Sequence, residues 1–151
     1  LVWLFYKDHY DATEDPATKL GTFCTMPAIE GHKVRNFFCE TIATWLLVLV
    51  ILIFGLDSNV PTLDAKGYHL HIGMGELGAI PVTCLIMAIG MSLGGTTGYA
   101  INPARDLAPR LAHAILPIKG KGESGWAYSW VPVAGPMAGA VLAALTYMVL
   151  F

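Results

Sequence analysis

Residues 94–117 read GGTTGYAINPARDLAPRLAHAILP, a glycine-rich segment that runs straight into a helix-start signal. The three glycines within Gly94–Ala100 oppose regular helix and let the backbone approach its neighbours closely. Asn102 can cap orphan backbone N–H groups, and Pro103 at the first helical position has no N–H to leave unpaired. From Pro103 to about Leu116 the pattern is helical, roughly 20 Å long by the rise per residue and too short to cross a bilayer. The reading is an extended strand over Gly94–Ala100 that feeds a half-helix, followed by the basic turn KGKGESG at Lys119–Gly125.

The flanks give this segment its setting. Asn36–Leu56 is a run of 21 residues broken by one charge, Glu40, and its stretch TWLLVLVILIFGL is apolar on every face. Leu77–Leu93 has no charge in 17 residues, and Trp126–Phe151 none in 26. The last run carries Trp126, Tyr128 and Trp130 at one end and Tyr147 at the other, as suits the two membrane interfaces. Each run reaches the length of a spanning helix, and Leu1–Tyr6 reads as the end of an earlier one. The chain opens inside an apolar run without Met, which reads as part of a longer protein.

Composition agrees. Of 151 residues, 55% are hydrophobic and 13% charged, against about 25% charged in an ordinary soluble domain, and the mean hydropathy is +0.57. Low hydrophobicity and high net charge define disorder, and both are missing. A net charge of -2 without a basic patch argues against nucleic-acid binding. Cys24, Cys39 and Cys84 show no metal or disulfide spacing. Of the connections, Lys7–Arg35 is long and polar and reads as a solvent-exposed loop with a short helical turn, while Asp57–Glu76 is a shorter link.

Irregular backbone at membrane depth is tolerated where it is packed in protein or lines a water-filled cavity. The carbonyls of Gly98, Tyr99 and Ala100 are then acceptors facing that cavity, and the half-helix N-terminus sets a positive dipole end there. Arg105, one turn in, adds a full charge and up to five N–H donors. An arginine in an apolar setting marks function by default.

Taken together, GYAINPARDLAP, placed after a glycine-rich strand and between two spanning runs, resembles the second Asn-Pro-Ala box of the major intrinsic protein family, the aquaporins and glycerol facilitators. The resemblance covers the whole chain as the C-terminal half of such a protein. It implies an all-α membrane protein with an aquaporin-like helical bundle: spanning helices at 36–56, 77–93 and 126–151, a re-entrant strand and half-helix at 94–116, and residues 1–6 ending a preceding helix. By resemblance Asn102, Pro103 and Ala104 are the box itself. Asn102 is one of the pair of asparagines that donate to the permeant, and Arg105 is the filter donor. The carbonyls of Gly98, Tyr99 and Ala100 complete the track. Glu40 resembles the buried family glutamate that accepts hydrogen bonds from the re-entrant backbone.

Within the family, Asp106 after Arg105, and Arg110 beyond it, are similar to the glycerol-conducting branch, as are Pro132 and Val133 in the last helix. Gly90 falls where water-specific pores place a narrowing histidine, and glycine leaves room for a carbon backbone. A polyol needs donors and acceptors on one wall and an apolar surface opposite, part of which Tyr99 can supply, although its hydroxyl departs from the phenylalanine of some glycerol channels. The implied function is a passive channel for glycerol, other small neutral solutes and water that excludes protons and ions. No enzymatic step, cofactor or metal is expected. Implied partners are the lipid bilayer of the plasma membrane, an N-terminal half that completes the pore, and three further copies in a homotetramer.

The alternatives are a water-selective pore and a transporter with broken helices. Gly90–Gly94 also fits the GxSxG elbow of serine hydrolases, with His69, His71 or His113 as base, but an apolar helix precedes it where a strand is required. Small residues for close helix contact explain Gly90, Ser92 and Gly94 better, and likewise the small-xxx-small pair Gly135 and Gly139. His69 and His71 lack a third metal ligand at useful spacing. Family topology puts Lys7–Arg35 outside, against the positive-inside rule.

Overall fold

The computed structural model describes residues 1–55, 62–63, 69–70 and 75–151. Among the described residues seven α-helices follow in chain order: α1 (Val2–Phe5), α2 (Lys7–Ala12), α3 (Pro16–Gly21), α4 (Lys33–Phe54), α5 (Ala79–Leu93), α6 (Pro103–Ile115) and α7 (Trp130–Leu150). Between α4 and α5, β1 (Thr62–Leu63) pairs antiparallel with β2 (His69–Leu70). Most of the Asp57–Glu76 link, His71 included, lies outside the described residues.

Among the described residues three helices are long and apolar enough to cross a membrane: Lys33–Phe54, Ala79–Thr96 and Trp130–Leu150. The chain is an all-α membrane protein. The first span begins before Asn36 because Lys33 and Arg35 are helical and exposed, as the polar edge of a bilayer allows. The last begins at Trp130, since residues 126–129 form a turn in which the Tyr128 amide donates to the Gly125 carbonyl.

The central contact is α4 against α7. A Cβ at Gly135 would come 2.7 Å from the Glu40 Cβ, and one at Gly139 would meet the Thr41 carbonyl and sit 2.8 Å from the Thr44 Cβ. Both glycines therefore seat α7 on the bare backbone of α4, the close approach that small residues permit in lipid. Phe37 stacks on Trp130 with ring centroids 5.8 Å apart, and the Trp45 indole donates to Thr146. Ala43, Leu47, Ile89 and Ile101 form the adjoining core. Along α5 only Ile89 is buried, and Ile80, Ile86, Met87 and Met91 are exposed.

Two sequence expectations need correction. Gly94–Ala100 is not an extended strand: Gly94–Thr96 form a 3-10 turn, and Gly98, Tyr99 and Ile101 follow with φ of 75°, 41° and 42°. The Lys7–Arg35 connection is not wholly solvent-exposed. It holds α2 and α3, the latter capped by Asp15 accepting from the Ala17 and Thr18 amides, and it buries Tyr10, Lys19, Leu20, Cys24 and Thr25.

Candidate functional site

The half-helix α6 starts as its capping chemistry requires. The Asn102 Oδ1 accepts from the Ala104 amide at 2.9 Å, with Pro103 at the first helical position. Committing Oδ1 to the cap fixes the amide plane and leaves the Nδ2 hydrogens without a protein acceptor among the described residues. Arg105 is exposed, and its guanidinium likewise meets no described partner.

Upstream of the cap the backbone is strained. Tyr99 and Ile101 lie in the left-handed region, which costs about 1–3 kcal/mol per non-glycine residue and persists only where the surroundings enforce it. The enforcing group is Glu40, 1% exposed on α4. Its Oε1 accepts from the Ala100 amide at 2.9 Å and its Oε2 from the Ile101 amide at 2.8 Å. With both amides held from behind, the carbonyls of Gly98, Tyr99 and Ala100 accept from no described residue.

A cavity of about 500 Å³ opens against this segment, lined by Tyr99, Ala100, Asn102 and Arg105 together with apolar groups including Leu47, Val48, Ile86 and Met137. A second concavity of about 420 Å³ is lined by Gly90 and Tyr99 with Thr83, Ile86, Met87 and Met91. Tyr99 and Ile86 are common to both. The room that Gly90 leaves is taken by the Tyr99 ring, since a Cβ there would lie 3.1 Å from its carbons, and a Cβ at Gly94 would collide with it. Gly98 lines neither space and backs onto Thr25.

Asp106 points the other way, fully buried, into a cluster that sequence reasoning does not reach. Its carboxylate accepts from Arg110 Nε and Nη2, each at 2.9 Å, and from the backbone N and Oγ1 of Thr25 at 2.8 and 2.6 Å. Arg110, also fully buried, donates further to the carbonyls of Thr25, Ser124 and Gly125. The i,i+4 spacing of Asp106 and Arg110 is the visible part of this signal; the loops that bury the pair are distant in sequence. Next to it the His113 Nδ1 pairs with the Ser124 Oγ at 2.9 Å, and Lys121 donates to the carbonyls of His113, Ala114 and Leu116 at the α6 C-terminus. Burial, followed by the Lys121 and Arg110 cations, holds the His113 imidazole below its ordinary pKa of 6.5. Burial also pushes the Cys24 thiol up to about 11, where it is un-ionised and inert. Ser92 lies within α5 and donates to the Ala88 carbonyl. The described residues contain no cluster of metal-ligating side chains.

The model of the family described as "Major intrinsic protein" matches residues 3–147. The chain is 51% identical over 150 residues to glycerol uptake facilitator protein 3 of Lactiplantibacillus plantarum, covering 99% of this chain and 56% of that protein. It is 48% identical over 151 residues to the glycerol uptake facilitator protein of Bacillus subtilis, covering 100% of this chain and 50% of that one. Among solved structures it is similar to the aquaglyceroporin from Plasmodium falciparum, with a TM-score of 0.69 at 29% identity, over 97% of this chain and 55% of the other. The chain thus spans about half the length of the curated relatives it matches.

Proposed function

Because the chain belongs to the major intrinsic protein family, we propose that residues 1–151 form the C-terminal half of a passive membrane channel for glycerol, other small neutral solutes and water. The observation that carries this reading is the mixed lining of the cavity, which brings the donors of Asn102 and Arg105 together with the apolar side chains of Leu47, Val48, Ile86 and Met137. A polyol crossing a membrane must exchange water for protein partners at its hydroxyls, while its C–H face needs none and is accommodated by apolar surface. The Nδ2 hydrogens of Asn102 and the guanidinium of Arg105 are donors for hydroxyl oxygens. The free carbonyls of Tyr99 and Ala100 at the cavity, continued by that of Gly98 next along the chain, are acceptors for hydroxyl hydrogens, and the apolar side chains take the carbons.

Protons and cations meet opposition at the same place. The α6 N-terminus carries the positive end of its helix dipole, and Arg105 adds a whole charge. An amide whose oxygen is committed to the helix cap can donate to a water but not accept from it, which breaks a proton-conducting water chain. In this reading Gly90 acts through the Tyr99 ring that it seats, and Glu40 and Asp106 hold the site. The pore is completed by an N-terminal half that brings its own asparagine to the same depth, and the whole assembles as a homotetramer in the plasma membrane. No covalent step and no cofactor enter.

The test is stopped-flow light scattering on proteoliposomes that carry the protein at its natural length, under glycerol and sucrose gradients. Glycerol uptake that does not saturate, with water flux beside it, is the expected result. Fast water flux without glycerol uptake would replace the reading by a water-selective pore, and saturable, ion-coupled uptake would replace it by a transporter.

A further inference from the structure

Thr25 sits where the Lys7–Arg35 connection crosses the re-entrant segment, 4% exposed. Its amide and hydroxyl both donate to Asp106 Oδ1, and its carbonyl accepts from Arg110 Nη2 at 2.8 Å. Its methyl lies against Gly98, since a Cβ built there would be 3.3 Å from the Thr25 Cγ2. Three residues on, the Ala28 amide donates to the Thr96 carbonyl at 3.1 Å. The strained loop is thus gripped from two sides, with Glu40 holding residues 100 and 101 and the Thr25–Ala28 strap holding 96 and 98.

We infer that Thr25 is a specificity-determining positioning residue, which fixes the carbonyl track beginning at Gly98 relative to Arg105 through its hydrogen bonds to Asp106. Asp106 adjoins Arg105 on the first turns of α6, and Thr25 is bonded to Asp106 while packed on Gly98. The acceptor track lies in the loop before α6 and the guanidinium on α6 itself, and the Thr25 side chain touches both parts, the loop at Gly98 and the helix at Asp106. Gly98 has φ of +75° and no side chain of its own to anchor it, so its placement rests on what it touches. Thr25 meets no permeant; it acts through Gly98 and Asp106.

The inference rests on the channel reading above, and the experiment separates the two. The natural-length protein is prepared as wild type, Thr25→Val and Thr25→Ser. Amide exchange at Ala28 and Gly98 is measured alongside the ratio of glycerol to water permeability. Valine keeps the methyl and deletes the hydroxyl bonded to a buried carboxylate, so exchange at both amides rises about tenfold and the permeability ratio shifts. Serine keeps the hydroxyl and deletes the methyl on Gly98, so it folds even if the valine variant does not, and it shifts the ratio less and in the same direction. An unchanged ratio in both variants overturns the inference, even if exchange has risen, since that describes a brace without bearing on selectivity. A wild type that passes no glycerol counts against the channel reading; the exchange arm then decides whether Thr25 places Gly98, and unchanged exchange in both variants sinks the inference.

Discussion

Glu40→Gln tests what holds the re-entrant loop in its strained form. The carboxylate presents two acceptor oxygens to two amide donors, Ala100 and Ile101, at 2.9 and 2.8 Å. Glutamine keeps the shape but turns one oxygen into a second donor, so one buried N–H loses its partner and the other loses its charge-assisted bond. An unsatisfied buried N–H costs about 1–3 kcal/mol, and the loss of charge assistance about 1 kcal/mol more. The left-handed strain at Tyr99 and Ile101 works in the same direction once the grip weakens. A total near 3 kcal/mol corresponds to about a hundredfold rise in the open population of the loop. Amide exchange at Ala100 and Ile101 in detergent micelles reads that population, with the Ala143 amide in α7 as internal control. Exchange at the two loop amides within about threefold of wild type, at unchanged Ala143 exchange, would refute the role of Glu40 as restraint.

Three further outcomes follow from the packing. Gly139→Ala places a methyl against the Thr41 carbonyl and the Thr44 Cβ, so it lowers stability by about 1–3 kcal/mol, whereas Gly21→Ala, with open space around it, leaves the melting temperature unchanged. Arg110→Leu strands the fully buried Asp106 carboxylate without its cation and costs about 3–5 kcal/mol; thermal unfolding should show that loss, and the double variant Asp106→Asn/Arg110→Leu should recover part of it. Because burial holds His113 below 6.5, the unfolded chain takes up the proton first as pH falls. Its contribution is intact above about pH 6.5 and fades below it as pH drops through the folded value, so the melting temperature falls toward pH 5 in wild type and less steeply in His113→Gln.

The half-helix was legible because its signals are local: Asn-Pro opens it, and the helical pattern to Leu116 ends one residue beyond the observed Ile115. The spanning helices were legible from length and apolarity, with errors of a few residues where charged Lys33 and Arg35 extend α4 beyond its apolar run. Glycines opposing helix suggested an extended Gly94–Ala100, but the Tyr99 ring needs Gly90 and Gly94 beneath it, and that demand curls the segment instead. Thr25 could not be read at all. Its bond to Asp106 spans 81 residues, and an acid and a base four apart on a short helix look the same whether water or protein covers them.

Glu40 also bears on which changes of chain length the protein can absorb. Its Cβ is seated under Gly135 while its carboxylate reaches Ala100 and Ile101, and Thr41 and Thr44, within the next helical turn, seat Gly139. One residue added to a helix turns everything on one side of it by about 100° relative to the other. An insertion between Glu40 and Thr44 would point the carboxylate away from the loop or drive a side chain into α7. Insertions and deletions among relatives should therefore collect before Lys33, where the connection can lengthen without turning α4.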